Sequence, residues 1–219
     1  MHQILVYADS LSWGIIPDTR QRFAFDQRWP GVMELALGRA GVSVRVIENC
    51  LNGRRTVWDD PFKPGRNGLE GLGACIEMNS PLALVVLLLG SNDFQSMHAH
   101  NAWHCAQGLS AVIGAIRGAP IEPGMPVPPI LLVAPPPIQQ ARGAIAPKFE
   151  GAGHRAVGLT AAIEALARER DCYFFDAGSV TPTSRVDGVH LDEDQHRRLG
   201  EALALAVHAL LPDDQHEIP

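Results

Sequence analysis

The chain has 219 residues, 46% hydrophobic and 19% charged, a size at which one compact domain buries an adequate core without disulfides or metals. A formal net charge of -6, with no block of five or six like charges, leaves no electrostatic footprint for nucleic acid or an anionic membrane surface. The longest apolar run, Leu82 to Leu89, falls far short of the ~20 residues that cross a bilayer.

The N-terminal MHQILVY has no basic region, long apolar stretch or cleavage site, so it reads as the first strand, Ile4 to Tyr7, and not as a signal peptide. Trp29 to Arg39 follows with apolar residues near helical spacing, then a second strand over Val44 to Ile47 and a short helix over Leu69 to Met78. Leu82 to Leu89 lacks alternation, the pattern of a strand buried on both faces of a parallel sheet. A helix over Trp103 to Ile116, a fourth strand over Ile130 to Val133, an Ala-rich helix over His154 to Arg170 and a fifth strand over Tyr173 to Phe175 complete the alternation. The last helix starts at Asp192, with Gln195 three residues on as in a capping box, and runs to Leu211 before Pro212. The proline-rich Pro120 to Pro137 reads as ordered loop around the fourth strand, and residues 213–219 as a polar tail.

Strands alternating with helices predict right-handed crossovers onto a mostly parallel sheet: an α/β three-layer sandwich of five strands in one domain over residues 1–212. Such sheets bind ligands beyond the carboxyl ends of their strands, at the switch point in strand order. Asp9 and Ser10 follow the first strand there; Asn49, Asn52 and Gly53 the second; Gly90-Ser91-Asn92-Asp93 the third; Asp176 and later Asp187-Gly188-Val189-His190 the fifth. Each alone is an ordinary turn or cap, because Asn, Asp and Gly suit turns and Ser caps helices. Together they bring a serine, a histidine and several carboxylates and amides to one rim.

In order, Ala8-Asp9-Ser10-Leu11, Gly53, Gly90-Ser91-Asn92-Asp93 and Asp187-Gly188-Val189-His190 resemble the four signature blocks of the SGNH (GDSL-type) hydrolases. Flanking segments SLSWG, RFAFDQRW, VIENCLNGRRT, DDPF, PPP and FFDAGSV look most like the arylesterase, acyltransferase and perhydrolase branch. The match runs from the first strand to the start of the last helix. Ala8 stands where the family has Gly, which is cheap if its φ is negative and costly if positive. The G-x-S-x-G elbow of the α/β-hydrolases is absent.

A serine hydroxyl attacks only when a base takes its proton. His190 is the candidate base, and Asp187, three residues earlier, is placed to accept from its Nδ1-H and hold the tautomer. The resemblance assigns the oxyanion hole to the backbone N–H of Ser10 and of Gly53 and the side-chain amide of Asn92. The expected pocket comprises Asp9, Trp13, Ile15, Asn52 and Val189, with Trp13, Ile15, Phe23, Phe25 and Trp29 forming an apolar entrance for short acyl chains. Any capping of the first helix falls to Asp9. The implied activity is hydrolysis of short-chain aryl or alkyl carboxylic esters through an acyl group on Ser10, with transfer to alcohol or peroxide open. A carbohydrate O-deacetylase and a catalytically weak ligand-binding domain are the alternatives.

His98, His100 and His104 cluster, but HNAWH lacks the glutamate of H-E-x-x-H, so they read as a solvated helix start. Neither a metal nor a cofactor is expected. Four widely spaced cysteines without C-x-x-C read as reduced thiols, and the expected compartment is the cytoplasm. The expected partners are a small-molecule ester and, as the resemblance implies, further copies of the chain in a homo-oligomer.

Overall fold

The computed structural model describes residues 1–212, so the tail expected over 213–219 lies outside the described residues. In chain order the elements are β1 (His2–Ala8), α1 (Ser10–Trp13), α2 (Trp29–Arg39), β2 (Val44–Cys50), α3 (Leu72–Asn79), β3 (Leu84–Leu88), α4 (Ala102–Arg117), β4 (Ile130–Ala134), α5 (Ala152–Arg155), α6 (Leu159–Glu169), β5 (Tyr173–Asp176) and α7 (Glu193–His208). The five strands are all parallel, in the order β2-β1-β3-β4-β5. The chain therefore reverses its direction of travel across the sheet between β1 and β3, where Ile4 pairs with Leu84 and Ala8 with Leu88.

The period of two along each strand divides the core into two layers. Ile4, Val6 and Ala8, with Val86 and Leu88, pack against Trp29, Met33, Leu37, Leu199 and Leu203 of α2 and α7. Leu5 and Tyr7, with Val85 and Leu87, pack against Leu72, Leu109, Val112 and Ile163 of α3, α4 and α6. All of β3 and β4 is buried, because helices cover both faces.

Most elements fall where periodicity predicts them, and α2 has the predicted ends. Two differ. The helix expected over His154 to Arg170 is interrupted: α5 ends at Arg155, and Gly158, at φ +83°, opens α6, a left-handed conformation that no continuous helix accommodates. Asn49 lies inside β2 and not after it. Among the described residues no helix is long and apolar enough to cross a membrane.

Candidate active site

β1 delivers Asp9 and Ser10 at the switch point. Asp9 is the N-cap of α1, its Oδ1 accepting from the N–H of Leu11 at 2.9 Å. Ser10 opens α1, where a backbone N–H has no carbonyl of the preceding turn to bond. Ala8 has no positive φ, since among the described residues only Asp18 and Asp171 do so without being glycine. Its side chain packs in the core, and its carbonyl accepts from Leu51 N at 3.0 Å and Arg54 Nη1 at 2.9 Å. The substitution of Ala for the family's Gly is therefore unstrained.

The loop before α7 supplies the partner of Ser10. Oδ1 of Asp187 accepts from the N–H groups of Val189 and His190, both at 2.9 Å, and Oδ2 lies 2.6 Å from Nδ1 of His190. Nε2 of His190 lies 3.2 Å from Oγ of Ser10. Burial pushes the Asp187 carboxyl up, but the hydrogen bond and charge of His190 and the two backbone donors outweigh it and hold it below its ordinary value. An ionised Asp187 only accepts, so Nδ1 carries the proton and Nε2 is left to accept from the Ser10 hydroxyl. All three side chains are buried. Gly188 makes the turn possible: its φ is +78°, and a Cβ there would sit 2.4 Å from the carbonyl oxygen of Gln140. The loop is tied down by Gln139 N and Arg142 N, which donate to the carbonyls of Gly188 and Asp187, each at 2.9 Å.

The turns beyond β2 and β3 carry Gly53 and Asn92. Gly53, at φ +82°, turns the chain just before the buried Arg54. Asn92 follows Gly90, whose φ of +124° and close approach to Cys105 Sγ require glycine. Nδ2 of Asn92 donates to Oδ2 of Asp9 at 2.8 Å and to the carbonyl of Arg54 at 3.1 Å, which links the three strand ends β1, β2 and β3. The neighbouring Asp93 is wholly buried and accepts from Thr56 N at 2.9 Å and Thr56 Oγ1 at 2.6 Å. Burial raises both Asp9 and Asp93 to about 6.

Several expected pocket residues take other places. Trp29 is fully buried in the core, with its indole N–H donating to Ser12 Oγ at 3.1 Å, so it forms no entrance. The reason is its position at the start of α2, on the face turned to the sheet. Asp9 has no exposed surface and both its oxygens are engaged, so it braces Asn92 and α1 and does not line a pocket. Val189 is 3% exposed and joins the core layer of α4 and α6. Ile15 is buried, Trp13 is half-buried beneath the Arg22 guanidinium, 4.8 Å from its ring, and Asn52 is half-buried. Phe25 is exposed, and Phe23 packs edge-on against His196. Ser91, next to Asn92, lines a cavity of about 410 Å³ with Pro135, Pro136, Ile138, Val157 and Leu159.

Sequence reading missed Arg54, Arg55, Thr56 and Gln95, all buried. Arg54 donates to the carbonyls of Ala8 and Asn49 and to Asn49 Oδ1, with its guanidinium 3.9 Å from the Tyr7 ring. Its only sequence signal is a pair of arginines after a loop glycine, which equally describes a solvated turn. The histidine cluster resolves into structure: His104 completes a capping box with Asn101 at the start of α4, and His98 and His100 stack at 4.8 Å. Among the described residues no group of three or more His, Cys, Asp or Glu is placed to hold a metal ion.

A serine in line with an imidazole and a buried carboxylate, beside amide donors and a tight glycine turn, can carry out acyl transfer. The family model of the GDSL-like lipases and acylhydrolases matches residues 9–198. The native aryl esterase of M. smegmatis is 37% identical, with a TM-score of 0.90 over 96% of this chain and 100% of that one. Est24, a carbohydrate acetylesterase from Sinorhizobium meliloti, is 33% identical, with a TM-score of 0.90 over the same shares. A carbohydrate acetylesterase family member from the same organism is 36% identical, with a TM-score of 0.89 over 96% of this chain and 99% of that one. No curated protein sequence matches the chain. Nearly the whole length is shared with these structures, from the strand that presents Ser10 to the helix beyond His190, and the chain belongs to the GDSL-like lipase/acylhydrolase (SGNH) family.

Proposed function

We propose that this carboxylester hydrolase works through an acyl-enzyme on Ser10, acting on short-chain aryl and alkyl esters. The reading is carried by the unbroken hydrogen-bonded line from Asp187 through His190 to Ser10. His190 Nε2 takes the hydroxyl proton as Oγ attacks the ester carbonyl, and Asp187 stabilises the imidazolium that forms. The oxyanion is met by the N–H groups of Ser10 and Gly53 and by Asn92 Nδ2, which exchanges its 3.1 Å bond to the Arg54 carbonyl for the developing charge. His190 then returns the proton to the departing alkoxide. Water, activated by the same imidazole, attacks the acyl group and frees Ser10; an alcohol or hydrogen peroxide in its place would give transfer or a peracid.

The decisive experiment is intact mass after exposure to a fluorophosphonate, on wild type and on Ser10→Ala. One adduct on wild type and none on the variant is expected; an adduct that survives the substitution would remove Ser10 from the chemistry. Chain-length preference is read by comparing acetyl with dodecanoyl aryl esters, and equal turnover would sink the short-chain assignment. The carbohydrate acetylesterases among the structural neighbours favour a second reading, deacetylation of a sugar ester by the same residues. Relative kcat/KM on an aryl acetate and an acetylated sugar separates the two.

We further propose a homo-oligomer in the cytoplasm. The four unpaired thiols suit a reducing compartment, and light scattering at the 23.6 kDa of one chain would refute the assembly.

A further inference from the structure

An amide side chain has two ends of nearly equal size and opposite polarity, and only one of them can stabilise an oxyanion. Asn92 is one end of a buried line of polar side chains that determines which end faces the site. At the far end Asp60 is pinned in its loop, Oδ1 accepting from Phe62 N at 2.9 Å and Lys63 N at 3.1 Å. Its Oδ2 lies 3.0 Å from Nη1 of Arg55. Nη2 of Arg55 donates to Oε1 of Gln95, and Nε2 of Gln95 donates to Oδ1 of Asn92 at 2.7 Å. Arg55 and Gln95 have no exposed surface, Asn92 4% and Asp60 8%.

The polarity of this line follows from its first member. A guanidinium only donates, so the Gln95 atom facing Arg55 is the oxygen. The other end of that amide is then NH₂, and it requires the oxygen of Asn92. Nδ2 of Asn92 is left for the side of Asp9 and Arg54, the residues next in sequence to Ser10 and Gly53. Both of its partners there are acceptors, so the two ends of the line agree.

We propose that Gln95 and Arg55 are positioning residues that set the orientation of the Asn92 amide for ester hydrolysis. The proposal rests on the reading that Asn92 donates to the oxyanion. During reaction one Nδ2 hydrogen leaves the Arg54 carbonyl for the substrate, and the amide is then held by Asp9 on one side and Gln95 on the other. Without Gln95, turning the oxygen of Asn92 toward the substrate would no longer strand a buried donor.

The test compares Q95E, Q95M and N92A on an aryl acetate. In Q95E the carboxylate still accepts from Arg55 but presents an oxygen to Oδ1 of Asn92, so the amide is pushed toward the wrong orientation. Its kcat is expected to fall at least tenfold with KM within about twofold. Q95M removes both the donor to Asn92 and the acceptor of Arg55, which releases the amide without forcing it round, and a loss of roughly threefold is expected. A packing role for Gln95 predicts similar losses in the two variants, since glutamate and methionine both approximate its length and volume. The low-field proton resonance of His190 Nδ1 is expected to be unchanged in both variants, reporting an intact Ser10-His190-Asp187 array.

A Q95M loss equal to or greater than that of Q95E overturns the proposal, as does Q95E within about twofold of wild type when N92A is impaired. N92A within twofold of wild type overturns the underlying reading of Asn92 instead. Should Q95E fail to fold, R55M carries the test, because it frees Gln95 to present either end. Its kcat is expected to drop roughly three- to tenfold at unchanged KM, and a kcat within twofold of wild type overturns the proposal.

Discussion

Asp187 grips His190 by the ring and by the backbone at once: Oδ2 lies 2.6 Å from Nδ1, while Oδ1 accepts from the N–H groups of Val189 and His190. The two backbone donors reserve Oδ1 as an acceptor. In Asp187→Asn the amide oxygen would stay with them, and the NH₂ would face Nδ1. Nδ1 must then accept, the proton moves to Nε2, and the ring can no longer take the Ser10 proton. A fall in kcat of roughly 10⁴-fold with little change in KM is expected. Steady-state kinetics on an aryl acetate checks it, and a loss below tenfold would contradict this tautomer assignment.

Asn92→Ala removes a donor proposed for the oxyanion and leaves Oδ2 of Asp9 and Nε2 of Gln95 without their partner. A loss of about 10²- to 10³-fold in kcat is expected from the first effect. The second costs stability, on the order of 1–3 kcal/mol for buried groups left unpaired. Urea melts alongside kinetics separate the two, because only the kinetic loss persists at temperatures where the variant is fully folded.

Gly188→Ala strains the backbone at φ +78° and drives a Cβ to 2.4 Å from the Gln140 carbonyl oxygen. That contact cannot be relieved by a side-chain rotation, so the turn holding Asp187 and His190 must move. More than about 2 kcal/mol of stability should be lost, together with most of the activity. Gly41→Ala is the control for positive φ alone: its φ is +82°, but a Cβ there meets nothing within 4 Å. A melt of Gly188→Ala no worse than that of Gly41→Ala would show the close approach to be unimportant.

His196 gives the fold a measurable acid sensitivity. It is fully buried in α7, with Nδ1 accepting from Trp29 N at 3.3 Å. Burial first, then the charges of His190 and Arg28, lowers its pKa from 6.5 to about 3. The unfolded chain takes up this proton below pH 6.5 and the native protein does not. Stability linked to His196 is therefore present above pH 6.5 and is lost as pH falls toward 3, by on the order of 3 kcal/mol at pH 4. Asp9 and Asp93, raised by burial to about 6, act with the opposite sign: they protonate earlier in the native state and favour it as pH falls from 6 to 4. His196→Gln should be less stable than wild type at pH 7, and its deficit should shrink by more than about 1 kcal/mol at pH 4.5. Urea titrations at both values check it; a deficit independent of pH would mean that His196 is not held neutral.

Sequence alone was enough for the order of the elements and for the residues that meet at the sheet's switch point. β3 and β4 are legible because a strand covered on both faces must be apolar throughout, and α2 because its apolar spacing matches one helical face. Ser10, Asn92, Asp187 and His190 are legible because four spaced blocks recur together. The break at Gly158 was not, since glycine is tolerated in a helix until its φ turns positive. Nor was the fate of Trp29, whose indole is apolar enough for either an entrance or a core; the face of α2 on which it lies decided that. The support behind Asn92 belongs wholly to tertiary structure. Arg55, Asp60 and Gln95 are residues that water normally claims, and here each leaves it for a charged or polar partner in the same line. Those partners come from loops up to 40 residues apart along the chain, so nothing local in sequence could disclose that these side chains are buried together behind the site.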